Sequence, residues 1–236
     1  MLSDEQLQNI AREFNQAETA FIIDEGDEFL IRWFSPTREA DLCGHATLAA
    51  AHVLWEFGEL TEKTITFKSR GGELFAKRKD GKIVLNFPAT ECAPCITPNG
   101  LADAIGTMPF GVCKAGNDLL VEVGSADAVR DTTVNLELLK QMPIDRGLIL
   151  CAEHDSDDYD IICRFFAPKM GIDEDQVTGS AHCALGPYFS KRFPDRKFLR
   201  SFQASPRGGT VHVQVKKDRA HISGHACTVC VGTLHL

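Results

Sequence analysis

The sequence predicts an α+β chain of two similar halves, each rich in strands and each carrying one largely apolar helix. Three observations carry that prediction. The first is an ordered internal repeat. Arg32-Trp33-Phe34-Ser35-Pro36 returns as Arg164-Phe165-Phe166-Ala167-Pro168, Cys43-Gly44-His45-Ala46 as Thr178-Gly179-Ser180-Ala181, and Arg70-Gly71-Gly72 as Arg207-Gly208-Gly209. The separations are 132, 135 and 137 residues. The second observation is the shared anatomy around these landmarks. A strand ends in aromatic-x-Pro, a short acidic loop follows, a glycine turn opens a helix, and Arg-Gly-Gly leads into a hairpin. The third is a turn-rich junction, PATECAPCITPNG over residues 88–100. It divides the chain into residues 1–92 and 93–236, with the last strand expected to return to the first half.

The elements follow in order. Ser3-x-x-Gln6 forms a capping box, and Leu7, Ile10, Ala11 and Phe14 share one face of an amphipathic first helix. Strands are predicted at 21–23, 31–34, 74–76, 83–87, 119–123, 148–151, 161–166 and 211–215. Helices are predicted at 46–57 and 181–191, both apolar enough to be buried. The alternating run ACTVCVGTLHL, which holds Cys227 and Cys230, reads as a closing strand.

With 25 Lys and Arg against 33 Asp and Glu, the formal charge is −8. That balance argues against nucleic acid or an anionic membrane as the main partner. No apolar run approaches the ~18 residues of a membrane span, and MLSDEQLQN lacks the pattern of a secretory signal, so a cytoplasmic protein is expected. The nine cysteines are expected to be reduced thiols. Cys92/Cys95 and Cys227/Cys230 have CxxC spacing. Residues three apart on a strand face opposite sides, which disfavours a shared metal at Cys227 and Cys230. There is no P-loop, no Gly-x-Gly-x-x-Gly after a strand and no HExxH, so neither a nucleotide cofactor nor a metal is expected.

Gly44 and Gly179 each precede a helix. A helix start offers unsatisfied N–H groups and partial positive charge, which suits a carboxylate or phosphate. Two such turns facing each other across related halves would hold a small anion; alternatively, the glycines permit close packing alone. Three ionisable residues lie near these turns: His45, Asp175 and Glu18. A carboxylate such as Glu18 at an apolar pocket mouth would have its pKa raised by desolvation, as a general acid/base requires. Each also has a structural alternative: a hydrogen-bonded histidine, a helix-start charge, an edge-strand charge.

These residues carry a resemblance to the phenazine-biosynthesis PhzF-like family. The matching segments are Ala17-Glu18-Thr19-Ala20-Phe21, Arg32–Pro36, Asp41-Leu42-Cys43-Gly44-His45-Ala46-Thr47, Glu174-Asp175-Gln176-Val177-Thr178-Gly179-Ser180-Ala181 and Gln203–Gly209. The resemblance implies a diaminopimelate epimerase-like fold, in which two domains each wrap a curved sheet or barrel around a central helix, with the site between them. It implies a cofactor-independent isomerase, usually a homodimer, acting on a small carboxylate. Glu18 matches the family's proton-shuttling glutamate, His45 its substrate-site histidine and Asp175 its substrate-binding aspartate. Cys43, Gly44, Gly179 and Ser180 match the turns that receive the substrate. Two departures stand out. Family members begin with an earlier strand, so the first strand of the first half is expected to be missing. Gln176 replaces a proline, which frees the backbone beside Asp175.

Two other functions remain open from the residues. A two-thiol racemase would use Cys43, but the equivalent turn, Gln176-Val177-Thr178, offers no second thiol. A non-catalytic binding protein would follow from an incomplete cleft with an unpaired strand edge.

Overall fold

A computed structural model describes residues 2–235 other than Asp27 and Glu59. In chain order its elements are α1 (Asp4–Phe14), β1 (Thr19–Asp24), β2 (Phe29–Phe34), β3 (Glu39–Ala40), α2 (Gly44–Phe57), β4 (Thr64–Ser69), β5 (Gly72–Lys79), β6 (Lys82–Pro88) and β7 (Cys92–Pro94). There follow α3 (Leu101–Ile105), β8 (Gly111–Ala115), β9 (Asp118–Glu122), α4 (Ala126–Asp131), α5 (Leu136–Gln141), β10 (Leu148–Glu153), β11 (Ile161–Phe166), α6 (Gly179–Ser190), β12 (Leu199–Gln203), β13 (Gly209–Lys216) and β14 (Arg219–Gly224).

The repeat in the sequence is a repeat in the fold. β1 and β2 form an antiparallel hairpin with Thr19 opposite Phe34, and β10 and β11 form another with Leu148 opposite Phe166. Each hairpin leads through its helix to a parallel neighbour, β2 to β4 through α2 and β11 to β12 through α6. Two antiparallel strands complete each unit, β5–β6 and β13–β14. The sheet runs β1-β2-β4-β5-β6-β14-β13-β12-β11-β10-β9-β8-β7, with β3 attached to β2. The two units therefore meet through their last strands, β6 and β14.

Each central helix is buried, as its composition requires. Ala46, Ala50, Ala51 and Trp55 of α2 pack with Trp33, Phe67 and Phe87. That core also takes Val211, Val213, Ala220 and Ile222 from β13 and β14. Ala181, Ala184, Leu185 and Phe189 of α6 pack with Ile149, Cys151, Ile161 and Cys163. Pro187 lies inside α6 and cannot donate to the carbonyl of Cys183. Thr90 of the inter-half junction donates to that carbonyl instead, at 2.9 Å, and so ties the junction to the helix.

Several sequence expectations need correction. The α1 capping box is present, and Leu7, Ile10 and Ala11 are buried, but Phe14 is 54% exposed beyond the packed face. The alternating C-terminal run forms no strand among the described residues. β14 already pairs on both sides, with β6 and β13, so no ladder continues past Gly224. Val229 is 92% exposed, Cys227 and Cys230 face solvent, and Thr228 is anchored to His52 at 3.2 Å. β4, β7, β8, β12, β14 and the short helices α3 to α5 lie where the sequence pattern was read as connection.

Candidate functional site

The two glycine turns stand side by side. A Cβ placed on Gly44 would lie 3.4 Å from the Gly179 Cα, and a Cβ on Gly179 would lie 3.4 Å from the Gly44 Cα. The N-termini of α2 and α6 thus open into one crevice of about 460 Å³. Neither helix carries an acidic residue in its first turn. First-turn N–H groups have no partner within their own helix, so both helix starts keep donors and positive charge directed at this space. Glu18, Cys43, Gly44, His45, Asp175, Gly179 and Ser180 all line the cavity.

The first-half wall is ionisable. Glu18 immediately precedes β1, and its side chain is 14% exposed. Its Oε2 lies 3.0 Å from His45 Nε2 and accepts from the Cys43 thiol at 3.3 Å. The expected apolar surroundings of Glu18 are therefore replaced by an imidazole and a thiol. Cys43 caps α2, its sulfur accepting from the N–H of Ala46 at 3.4 Å. Burial pushes the Cys43 thiol up, with His45 opposing, and keeps the sulfur protonated at neutral pH. Burial also works against a charge on His45. Cys43, Glu18 and Asp175 outweigh it and hold His45 well above the usual histidine range. Both His45 Nε2, at 3.0 Å, and the Cys43 thiol, at 3.3 Å, are placed to donate to the same Glu18 oxygen.

Glu18, Cys43 and His45 place one donor atom each within 4.8 Å of one another, the spacing of a three-ligand cation site. A metal would need the thiolate and a neutral imidazole. The raised Cys43 and His45 both favour the opposite protonation states, which suit the hydrogen-bonded cluster.

The second-half wall is hydrogen-bonded and sealed. The Thr178 hydroxyl donates to Asp175 Oδ2 at 2.5 Å. Gln203 accepts from the Thr178 N–H at 2.8 Å and donates to the Asp175 carbonyl at 2.8 Å. The Asp175 N–H donates to Phe165 at 3.0 Å. These bonds fix Asp175 although Gln176 stands where a proline was expected. Its second oxygen, Oδ1, is buried and has no hydrogen-bond partner among the described residues. A buried acceptor in that state favours a ligand that brings an N–H or O–H. Phe165, Ala167, Met170 and Ile172 supply an apolar side to the cavity.

Sequence reasoning missed several supports. Arg146 lines the crevice and forks both oxygens of buried Asp118, through Nε at 2.7 Å and through Nη2. His182 is fully buried and donates from Nδ1 to the Thr178 carbonyl at 2.7 Å. Arg32 forks Glu39, and Arg164 forks Glu174, at matching places in the two halves. The sequence offers Arg32 and Arg164 either as partners for carboxylates across the halves or as surface strand residues; each instead pairs with an acid of its own half.

The family profile described as "Phenazine biosynthesis-like protein" (PhzC-PhzF) matches residues 1–232. An "uncharacterized isomerase" of Pseudomonas aeruginosa is 43% identical over 235 residues, covering all of this chain and 88% of that one. The crystal structure of a phenazine biosynthesis protein of the PhzF family from Enterococcus faecalis superposes with a TM-score of 0.92 at 38% identity, covering 100% of this chain and 89% of that one. The crystal structure of a probable proline racemase from Agrobacterium radiobacter shares the fold at a TM-score of 0.64 and 14% identity, over 99% of this chain and 82% of that one. The architecture is thus the diaminopimelate epimerase-like α+β fold. No helix among the described residues is long and apolar enough to cross a membrane.

Proposed function

The chain belongs to the phenazine biosynthesis-like family, and from that premise we propose that it is an isomerase that moves a proton within a small carboxylate, using Glu18 as its only base. The observation that carries this reading is the Glu18–His45 contact of 3.0 Å beside two converging helix N-termini.

The chemistry follows from those groups. The substrate carboxylate accepts from the first-turn N–H groups of α2 and α6, which draw electron density from the adjacent carbon. Glu18 takes a proton from that carbon, and the released electron pair spreads into the conjugated carboxylate. His45, as imidazolium, donates to Glu18 and to the developing negative charge. Glu18, its proton exchanging with solvent before release, then delivers a proton to another carbon on the same face, and the double bond shifts. No oxidant or second reactant is consumed, and no cofactor is required. Asp175 Oδ1 accepts from an amine or hydroxyl of the substrate and so fixes which carbon faces Glu18.

A single base is favoured over a pair by the other half. Gly147 precedes β10 as Glu18 precedes β1, at the same hairpin register. A Cβ at Gly147 would lie 2.5 Å from the Phe165 ring and 2.9 Å from the Phe166 carbonyl oxygen. No side chain fits there, and Thr178 replaces the thiol that a two-cysteine racemase needs.

The test is proton exchange in D2O, followed by NMR over a panel of small unsaturated and hydroxylated amino acids. The expected result is deuterium incorporation into at least one panel member by the wild type, lost in Glu18→Gln. Exchange that persists undiminished in Glu18→Gln would remove the reading.

A further inference from the structure

Away from the crevice, four neighbouring strands, β5, β6, β14 and β13, turn alternate side chains out of the core. Ala76, Ile83, Leu85, Val213, Ala220 and Ile222 point inward. On the other face, Lys77, Lys79, Lys82, Lys216, His212 and His221 line a depression of about 370 Å³. Lys197 and Phe198, just before β12, close one side of it. Asp80 is the one acidic residue in the lining.

Three features set this face apart from an ordinary solvated sheet. First, five lysines without a carboxylate partner among the described residues converge on one hollow, whereas the others that lack one, Lys63, Lys169, Lys191 and Lys217, lie outside its lining. In a chain of net charge −8, five unpaired cations around one hollow form a local exception to the global balance. A concave cationic surface concentrates anions. Second, the crowding is felt by the histidines. Burial, then Lys82, His225 and Arg200, hold His212 below the usual range, with Asp160 opposing. Burial, then Lys216, Arg219 and Lys79, do the same to His221. Third, Lys82 Nζ donates to His212 Nε2 at 3.1 Å, which leaves the proton of the neutral ring on Nδ1. That nitrogen is buried and has no hydrogen-bond partner among the described residues. Phe198, 46% exposed, lies beside this ring with centroids 5.6 Å apart, an apolar platform at the rim of a cationic hollow.

We propose that this face is a second binding site, for a small organic polyphosphate of the nucleoside di- or triphosphate class. The phosphate chain lies over Lys79, Lys82 and Lys216, and the flat ring rests on Phe198. A chain of two or more phosphates matches several cations that have no acid of their own, and a planar base matches the exposed ring. The site shares no residue with the crevice lining, so it stands independently of the isomerase reading.

The experiment is calorimetric titration of the full chain at near-physiological salt with ATP, AMP, adenosine and inorganic tripolyphosphate. ATP and tripolyphosphate are expected to bind with Kd below about 1 mM, AMP at least about tenfold more weakly, and adenosine not measurably. Lys79→Gln/Lys82→Gln is expected to weaken ATP by about tenfold or more. Asp80→Asn, in a left-handed turn position that asparagine tolerates, is expected to tighten it, a gain that a misfolded variant would not produce. Phe198→Ala separates the two sources of phosphate, because it weakens ATP and leaves tripolyphosphate unchanged. The proposal is overturned if ATP fails to bind in this range or if the lysine double variant binds it as tightly as the wild type. It is also overturned if a single-stranded oligonucleotide binds through these lysines more tightly than ATP.

Discussion

At the start of α2, Cys43, Gly44 and His45 face the carboxylate of Glu18; at the start of α6, Thr178, Gly179 and Ser180 hold the same three positions with no acid in the place of Glu18. The scaffolds beneath are alike. Arg32 sits over Phe34 at 5.0 Å and Arg164 over Phe166 at 4.9 Å, and each arginine forks a glutamate at the head of its loop. Even the bond that steadies each turn recurs four residues in. Thr47 donates to the Cys43 carbonyl at 2.5 Å, and His182 donates to the Thr178 carbonyl. The difference lies in what the side chains at the cavity do. One half gathers titrating groups around a proton; the other spends its polar atoms on fixing Asp175 and keeps one oxygen free. The frame recurs in both halves, and the cluster of a glutamate, a thiol and an imidazole stands in only one of them.

The sharpest way to break that comparison is to remove one member from each half. Glu18→Gln is expected to lower kcat by about 10²–10⁴-fold with little change in binding. Asp175→Asn is expected to raise KM by about tenfold with a smaller effect on kcat, since it loses an acceptor for the substrate. Steady-state kinetics on the substrate found by exchange would show both, and equal kcat losses in the two variants would dissolve the distinction.

A slightly smaller effect sets the two histidines against each other. Burial, opposed by the bond to Thr178, holds His182 at about 4. The folded state therefore keeps His182 neutral, while the unfolded chain takes up a proton below about pH 6.5. Stability tied to His182 is present above that value and drains away between about pH 6.5 and 4, by about 3 kcal/mol. Urea melts across this range should show a shallower fall in His182→Gln than in the wild type. His45 runs the other way. Its folded-state pKa is raised, so its contribution is present below about pH 6.5 and is lost as the pH climbs through the raised value. His45→Gln should flatten the alkaline side of the stability profile and leave the acid side as it was.

Next comes Gly147→Ala. Its methyl would meet Phe165 and the Phe166 carbonyl, so a loss of about 1–3 kcal/mol is expected in thermal or urea unfolding. An alanine tolerated there without cost would mean that the second half has room for a side chain where Glu18 stands in the first.

The repeat made most of this frame legible in sequence, because the landmark turns and strand ends are fixed by glycine, proline and aromatic residues whose local conformations are narrow. The strand 161–166 and both central helices were readable for that reason, with helix starts displaced by the two residues that form the glycine turns. Six of the seven expected cavity residues were readable because they sit in or beside those turns, and Glu18 because it stands as an acid at the entry of an apolar strand. The C-terminal run was misread because alternation reports what a strand would bury, not whether a partner edge exists to accept it. Gly147 and His182 gave no signal, since their roles depend on Phe165 and Thr178, neighbours only after folding. The lysine face escaped notice because its members are spread over residues 77–216 and look solvated one at a time.

Gly147 also bears on the history of the two halves. One substitution would write a second glutamate into the lineage, yet Phe165 blocks it, and a smaller residue at 165 would open the apolar side of the crevice. The aromatic ring therefore bars an acid at the position that mirrors Glu18, and the asymmetry of the crevice is held by packing as much as by the residues that line it.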